Sequence, residues 1–181
     1  MKLKLRLTAI VFISLFFCLS SFSQGRNRHA IRHARGFNQI GLRAGIGTEN
    51  KIAYGLSYNY HFNTNTSLSV ELDREEAVFG YTDFTNQILI APGVDYAFWQ
   101  PSNFLYFHAG ISACVGMDSW KSQLVSESTD ILIYGVNVGL NSEVYIGSYL
   151  SAVIKAQQYF LTGDGYSYLK PNFSLSLRYN F

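Results

Sequence analysis

Residues 172–181, NFSLSLRYNF, decide the fold. Successive side chains on an extended chain point to opposite sides, so Phe173, Leu175, Leu177, Tyr179 and Phe181 share one face and Asn172, Ser174, Ser176, Arg178 and Asn180 the other. Working upstream, residues 103–115 repeat the pattern. Leu105, Phe107, Ala109, Ile111, Ala113 and Val115 form an apolar face opposite Tyr106, His108, Gly110, Ser112 and Cys114. Period-two alternation of this kind marks a strand with one greasy and one polar side.

The same reading carried through predicts eight strands, at 37–47, 52–62, 67–78, 84–98, 103–115, 131–143, 148–161 and 172–181. Their length of about 10 to 15 residues exceeds the ~5 to 6 of soluble strands and suits the ~9 to 11 of tilted membrane-crossing ones. The joints at 63–66 (NTNT), 99–102 (WQPS) and 144–147 are short, whereas those at 79–83, 116–130 and 162–171 are longer; the first, 48–51, is tight. Short periplasmic turns alternating with longer outer loops are the habit of outer-membrane barrels, and an even strand number puts both ends of the mature chain in the periplasm. The expected fold is therefore all-β: an eight-stranded antiparallel up-and-down transmembrane barrel.

Composition agrees with a surface that faces something other than water. Hydrophobic residues make up 48% and charged residues 14% of the 181 residues, below the ~25% charge of soluble domains. With 13 Tyr and 14 Phe against 2 Trp, the aromatic content favours strands and membrane interfaces. The side chains assigned outward include Ile40, Leu42, Tyr54, Leu72, Ile90, Leu132, Val138, Leu140 and Ile154, and none is charged. A soluble sandwich buries such faces between two sheets but dresses the outer ones with Lys and Glu. Here the second face carries Gly, Ser, Asn and Gln with scattered charges, as a narrow, filled lumen requires.

Those charges have both signs: Arg43, Lys155 and Arg178 against Glu71, Asp73, Asp95 and Glu143, with His61 and His108 on the same parity. An ion-pair network across the lumen is expected from Arg43, Glu71, Asp95, Glu143, Lys155 and Arg178, and such a network would block a channel. Aromatic residues gather at segment ends, and Tyr60, Phe62, Phe98, Trp99, Tyr179 and Phe181 are expected to form a periplasmic girdle in the headgroup layer. An aromatic residue ending an alternating last strand, as Phe181 does, is also common in barrels recognised by the insertion machinery.

At the other end of the chain, Lys2, Lys4 and Arg6 precede an apolar stretch from Leu7 to Leu19 and small residues at Ser21 and Ser23, the form of a secretory signal over 1–23. About 13 apolar residues are too few for a membrane anchor, which needs ~20. Lipidation at Cys18 is disfavoured by Phe16 and Phe17, and without Cys18 the remaining Cys114 has no partner for an intramolecular disulfide. Residues 24–36 hold Arg26, Arg28, Arg32, Arg35, His29 and His33 without apolar periodicity. We read them as a solvated basic leader, with contact to peptidoglycan, lipid phosphate or a partner as the functional alternative.

Little points to chemistry or to nucleic acid. The formal charge of +2 lies in the first residues, leaving no basic face. Lipid-hydrolysing barrels carry His and Ser close together on a strand, but Ser112 lies about 13 Å along the strand from His108, and His61 has no Ser at the needed place. Gly45, Gly47, Gly163 and Gly165 mark hairpin turns without the following helix that a phosphate site uses. No catalytic, cofactor or metal site and no small-molecule substrate is expected; membrane lipid is the expected contact.

Three segments carry a family resemblance: Gly41-Leu42-Arg43-Ala44-Gly45 behind the basic leader, Gly93-Val94-Asp95-Tyr96 through Gly110-Ile111-Ser112-Ala113 to Gly116, and Tyr134-Gly135-Val136 through Glu143 to Tyr149 with the closing strand. Over most of 36–181 the chain resembles the TraO family of conjugative-transposon transfer proteins. That resemblance implies a non-catalytic envelope component of a type IV secretion-like conjugative apparatus, contacting other transfer proteins. The rival classes are an orphan barrel for envelope integrity or surface adhesion, and a lipid A-modifying barrel enzyme.

Overall fold

Alternation along the chain becomes eight strands: β1 (Asn38–Ile46), β2 (Ile52–His61), β3 (Thr66–Phe79), β4 (Asp83–Ser102), β5 (Leu105–Ser122), β6 (Ser128–Tyr145), β7 (Leu150–Gly163) and β8 (Tyr166–Asn180). The computed structural model describes residues 33, 35–47, 51–79, 83–122, 128–164 and 166–181; the expected signal segment 1–23 and leader residues 24–32 and 34 lie outside them. Each strand pairs antiparallel with the next, and β8 returns to β1, closing the barrel. Leu42 lies opposite Leu56 on one side and Leu177 on the other, so the register keeps apolar side chains in one continuous outer layer. Closure satisfies every edge that an open sheet would leave unpaired.

Two expected outer loops are strand instead. Met117 pairs with Leu132 and Lys121 with Ser128, so most of 116–130 is a ladder of β5 and β6. Likewise Thr162 pairs with Ser167, and β8 begins at Tyr166 rather than 172. The WQPS joint also belongs to a strand: β4 runs to Ser102, with register shifts between Ala97 and Trp99 and again before Ser102. The turn is Asn103-Phe104. The reason is common to all three places. A hairpin needs only backbone hydrogen bonds between its arms, so it continues where side chains turn polar and the alternation used to find it fades; Pro101 is accommodated at the bulged end, where a missing N–H is tolerated.

Polarity is inverted relative to a water-soluble protein. Leu42, Leu132, Leu140 and Ile154 are 60 to 68% exposed, while Gln39, Glu71, Asn137 and Glu143 are 0 to 1% exposed. The apolar coat has edges. On β3 it runs from Leu68 to Leu72 and stops at the exposed Arg74–Glu76 ion pair, 2.7 Å apart. On β4 it spans Ile88 to Phe98, a rise of roughly 23 Å at a tilt of about 45°, against ~25 Å for a lipid-facing band. Beyond that edge β3 to β6 continue as a paired ladder that carries Asn86, Asp118 and Asp130 together with the exposed Trp120.

Candidate functional site: the sealed lumen

Inward-facing residues of the eight strands meet in three levels. At mid-height Glu71 of β3 accepts from Arg43 Nη1 at 2.7 Å, Lys155 Nζ at 2.6 Å and Gln157 Nε2 at 3.1 Å. Arg43 also pairs with Asp73 at 3.1 Å and donates through Nη2 to Gln157 Oε1 at 2.8 Å. Tyr159 donates its hydroxyl to Asp73 at 3.2 Å. All these side chains are buried, so each charge has traded water for an opposite charge and neutral acceptors from other strands. The cluster bridges β1, β3 and β7 across the lumen.

Towards the end bearing the 80–82 and 123–127 joints, Lys170 pairs with Glu75 at 2.5 Å and also bonds Gln87, whose amide donates to Tyr168 at 2.7 Å. One sector here is apolar: Leu89, Ala91, Cys114, Ile133, Tyr159 and Leu161 pack together inside the barrel. Cys114 faces inward as its parity implies, accepting from Asn137 at 3.6 Å. Neither Lys170 nor this sector was expected. Lys170 lay in a segment read as loop, although its parity with Asn172 places it inside once the strand is extended.

The third level lies at the end carrying the turns 62–65, 103–104 and 146–149. Glu143 Oε2 lies 3.0 Å from His33 Nε2, 3.4 Å from His108 Nε2 and 4.0 Å from Arg178 Nη1. Its other oxygen accepts from Ser151 at 2.6 Å and Gln39 at 2.8 Å. The His33 ring stacks on Tyr106 at 4.0 Å and lies 4.4 Å from the His61 ring. His33 is 1% exposed. The reading of 24–36 as a solvated leader therefore fails at His33, which enters the barrel mouth. Sequence reasoning missed it because a single histidine outside any strand has no periodicity to reveal its direction.

Of the six residues expected in the charge network, Arg43, Glu71 and Lys155 come together and Glu143 meets Arg178. Asp95 does not join them. Among the described residues its contact is a neutral amide, Asn141 Nδ2 at 3.4 Å, and it closes over Gly110, where a Cβ would sit 2.2 Å from its Oδ1. The expected aromatic girdle lies at the end with His33: Tyr60 meets Phe62 edge-on at 5.3 Å, Trp99 stacks on Phe107 at 4.9 Å, and Tyr179 stacks on Tyr149 and Phe181. Phe98, beside Trp99, points outward. His33 and His108 both face the Glu143 carboxylate.

No protein-family model and no curated protein matches the chain. Solved structures do. The N-terminal β-barrel domain of Pseudomonas aeruginosa OprF aligns with a TM-score of 0.65 at 14% identity, covering 81% of this chain and 98% of that one. Ail, the attachment invasion locus protein of Yersinia pestis, aligns at 0.58 and 13%, covering 81% and 99%. The outer membrane protein OprG of Pseudomonas aeruginosa aligns at 0.55 and 10%, covering 83% and 98%. At these identities the likeness is one of architecture, and the architecture shared is the closed, eight-stranded antiparallel barrel.

Proposed function

We propose that the chain is a non-catalytic outer-membrane barrel that serves as an envelope component of a conjugative, type IV secretion-like apparatus. The observation that supports a membrane barrel is the inverted polarity: an uncharged band about as tall as the hydrocarbon layer surrounds a lumen crossed by Arg43, Glu71 and Lys155. A lumen bridged in this way serves as a rigid support rather than a conduit. The aromatic-rich end, with both described chain ends, faces the periplasm in this reading, and the extended ladder of β3 to β6 faces outward. Orientation rests on these features and no longer on loop length, since the joints at both ends are short. The transfer role rests on the resemblance to the TraO family.

Fractionation and pull-down test the two parts separately. The protein is expected in the detergent-extracted outer-membrane fraction, and affinity purification from donor cells during mating is expected to recover other transfer proteins. Recovery of none would remove the conjugation role and leave the barrel standing. A free, detergent-independent monomer would remove both.

A surface-adhesion role is the second reading, favoured by the strand ladder projecting past Ile88 and Met117 and by the likeness in fold to an attachment protein. Loss of host-surface binding on trimming that ladder, with transfer frequency unchanged, would select it. Lipid A modification is addressed by His61→Ala and His108→Ala with mass spectrometry of lipid A, which is expected to be identical to wild type.

A further inference from the structure

We infer that His33, His108 and Glu143 form a binding site for one divalent transition-metal ion of the zinc class at the mouth of the barrel. Their donor atoms lie within 4.8 Å of one another, with Glu143 Oε2 at 3.0 and 3.4 Å from the two imidazole nitrogens. A tetrahedral ion with bonds of about 2.0–2.1 Å sets neighbouring ligand atoms roughly 3.3 Å apart, so Glu143 already stands at ligand spacing from both imidazoles and the widest pair would close by no more than about 1.5 Å. Imidazoles with one carboxylate suit zinc, copper or nickel rather than magnesium or calcium.

Two further observations point to a ligand rather than a closed hydrogen-bond cluster. His108 Nε2 and, beside it, His61 Nε2 are buried without a hydrogen-bond partner, and such groups in an interior call for an occupant. The shell behind the donors is also built. Ser151 and Gln39 hold the far oxygen of Glu143, turning the near one towards the imidazoles, while Tyr106 and Tyr145 wall the His33 ring. Outer partners of this kind fix the orientation of metal ligands. Arg178 remains the farthest charged neighbour at 4.0 Å and donates to Gln39.

The ligands come from two parts of the chain: His33 from the leader, and His108 and Glu143 from the β5–β6 pair. Metal would therefore staple the leader into the barrel. Arg35, exposed two residues on, lies where a protease would sense release.

The test uses untagged protein purified in detergent from outer membranes, stripped with chelator and titrated with Zn²⁺ alone. About one Zn²⁺ per chain should survive dialysis, X-ray absorption on that sample should show imidazole nitrogens at about 2.0–2.1 Å, and Zn²⁺ should slow trypsin cleavage at Arg35 with reversal by EDTA. His33→Ala and Glu143→Gln should each weaken binding at least about 100-fold, and Ser151→Ala about 10-fold. Failure of wild-type protein to retain zinc, a metal shell of oxygen alone, unchanged cleavage at Arg35, or unchanged affinity in a folded His33→Ala, His108→Ala variant would each overturn the site. Because the absorption and proteolysis measurements use wild-type protein, variants that fail to fold do not shelter the inference.

Discussion

Glu71 stands between Arg43 and Lys155, and all three are sealed from water. Removing one member of such a group strands the others as uncompensated charge. Glu71→Ala is accordingly expected to lower the unfolding free energy by about 3–5 kcal/mol in urea titrations of protein folded into lipid vesicles. Asp95→Asn should change it by no more than about 1 kcal/mol, because its contact is the neutral amide of Asn141 and an ordinary hydrogen bond contributes about that much. Glycines differ by position for a steric reason. A Cβ at Gly135 would lie 1.9 Å from the Phe160 carbonyl oxygen, whereas one at Gly147 meets nothing within 4 Å. Gly135→Val should abolish the heat-dependent gel shift of a folded barrel, and Gly147→Ala should leave it intact. The lumenal direction of Arg43, Glu71 and Lys155 followed from parity alone, but their partners did not, because alternation gives a side chain's face and not its neighbours across a closed cylinder.

Strands in this protein serve two surroundings along one length. On β6, Leu132, Tyr134, Val136, Val138 and Leu140 form the outer band, and Asp130 marks its end. Val138→Arg, in the middle of that band, should destabilise the folded barrel in vesicles by about 2–4 kcal/mol, while Asp130→Arg should stay within about 0–1 kcal/mol. Replacing 119–130 with an Asn-Gly turn joins β5 to β6 just past the Met117 and Leu132 pair. Such a turn matches the twist of an antiparallel pair, so the shortened barrel is expected to fold and to retain its gel shift. These extensions were illegible beforehand because Asp118, Ser119 and Lys121 break the apolar alternation while the backbone ladder continues beneath them.

Across the whole molecule, the three levels of bonded side chains join facing walls of the barrel from one mouth to the other. Inserted in planar bilayers, the protein is expected to give no stable ohmic conductance; steady channels in wild-type protein would contradict a support role. The cross-lumen ties also predict cooperative unfolding, with tryptophan fluorescence and gel mobility changing at the same urea concentration. Sequential loss of one wall before the other would show that the levels act independently.

Strand number, face assignment and barrel class were determined by the sequence itself, since period-two patterning is local and survives any arrangement of neighbours. Where strands end, which charges meet, and that His33 turns inward were decided only by closure. Closure brings residues such as His33 and Glu143, or Arg43 and Gln157, within bonding distance although more than a hundred positions separate them along the chain. No local pattern encodes that distance, because it depends on the register of all eight strands at once.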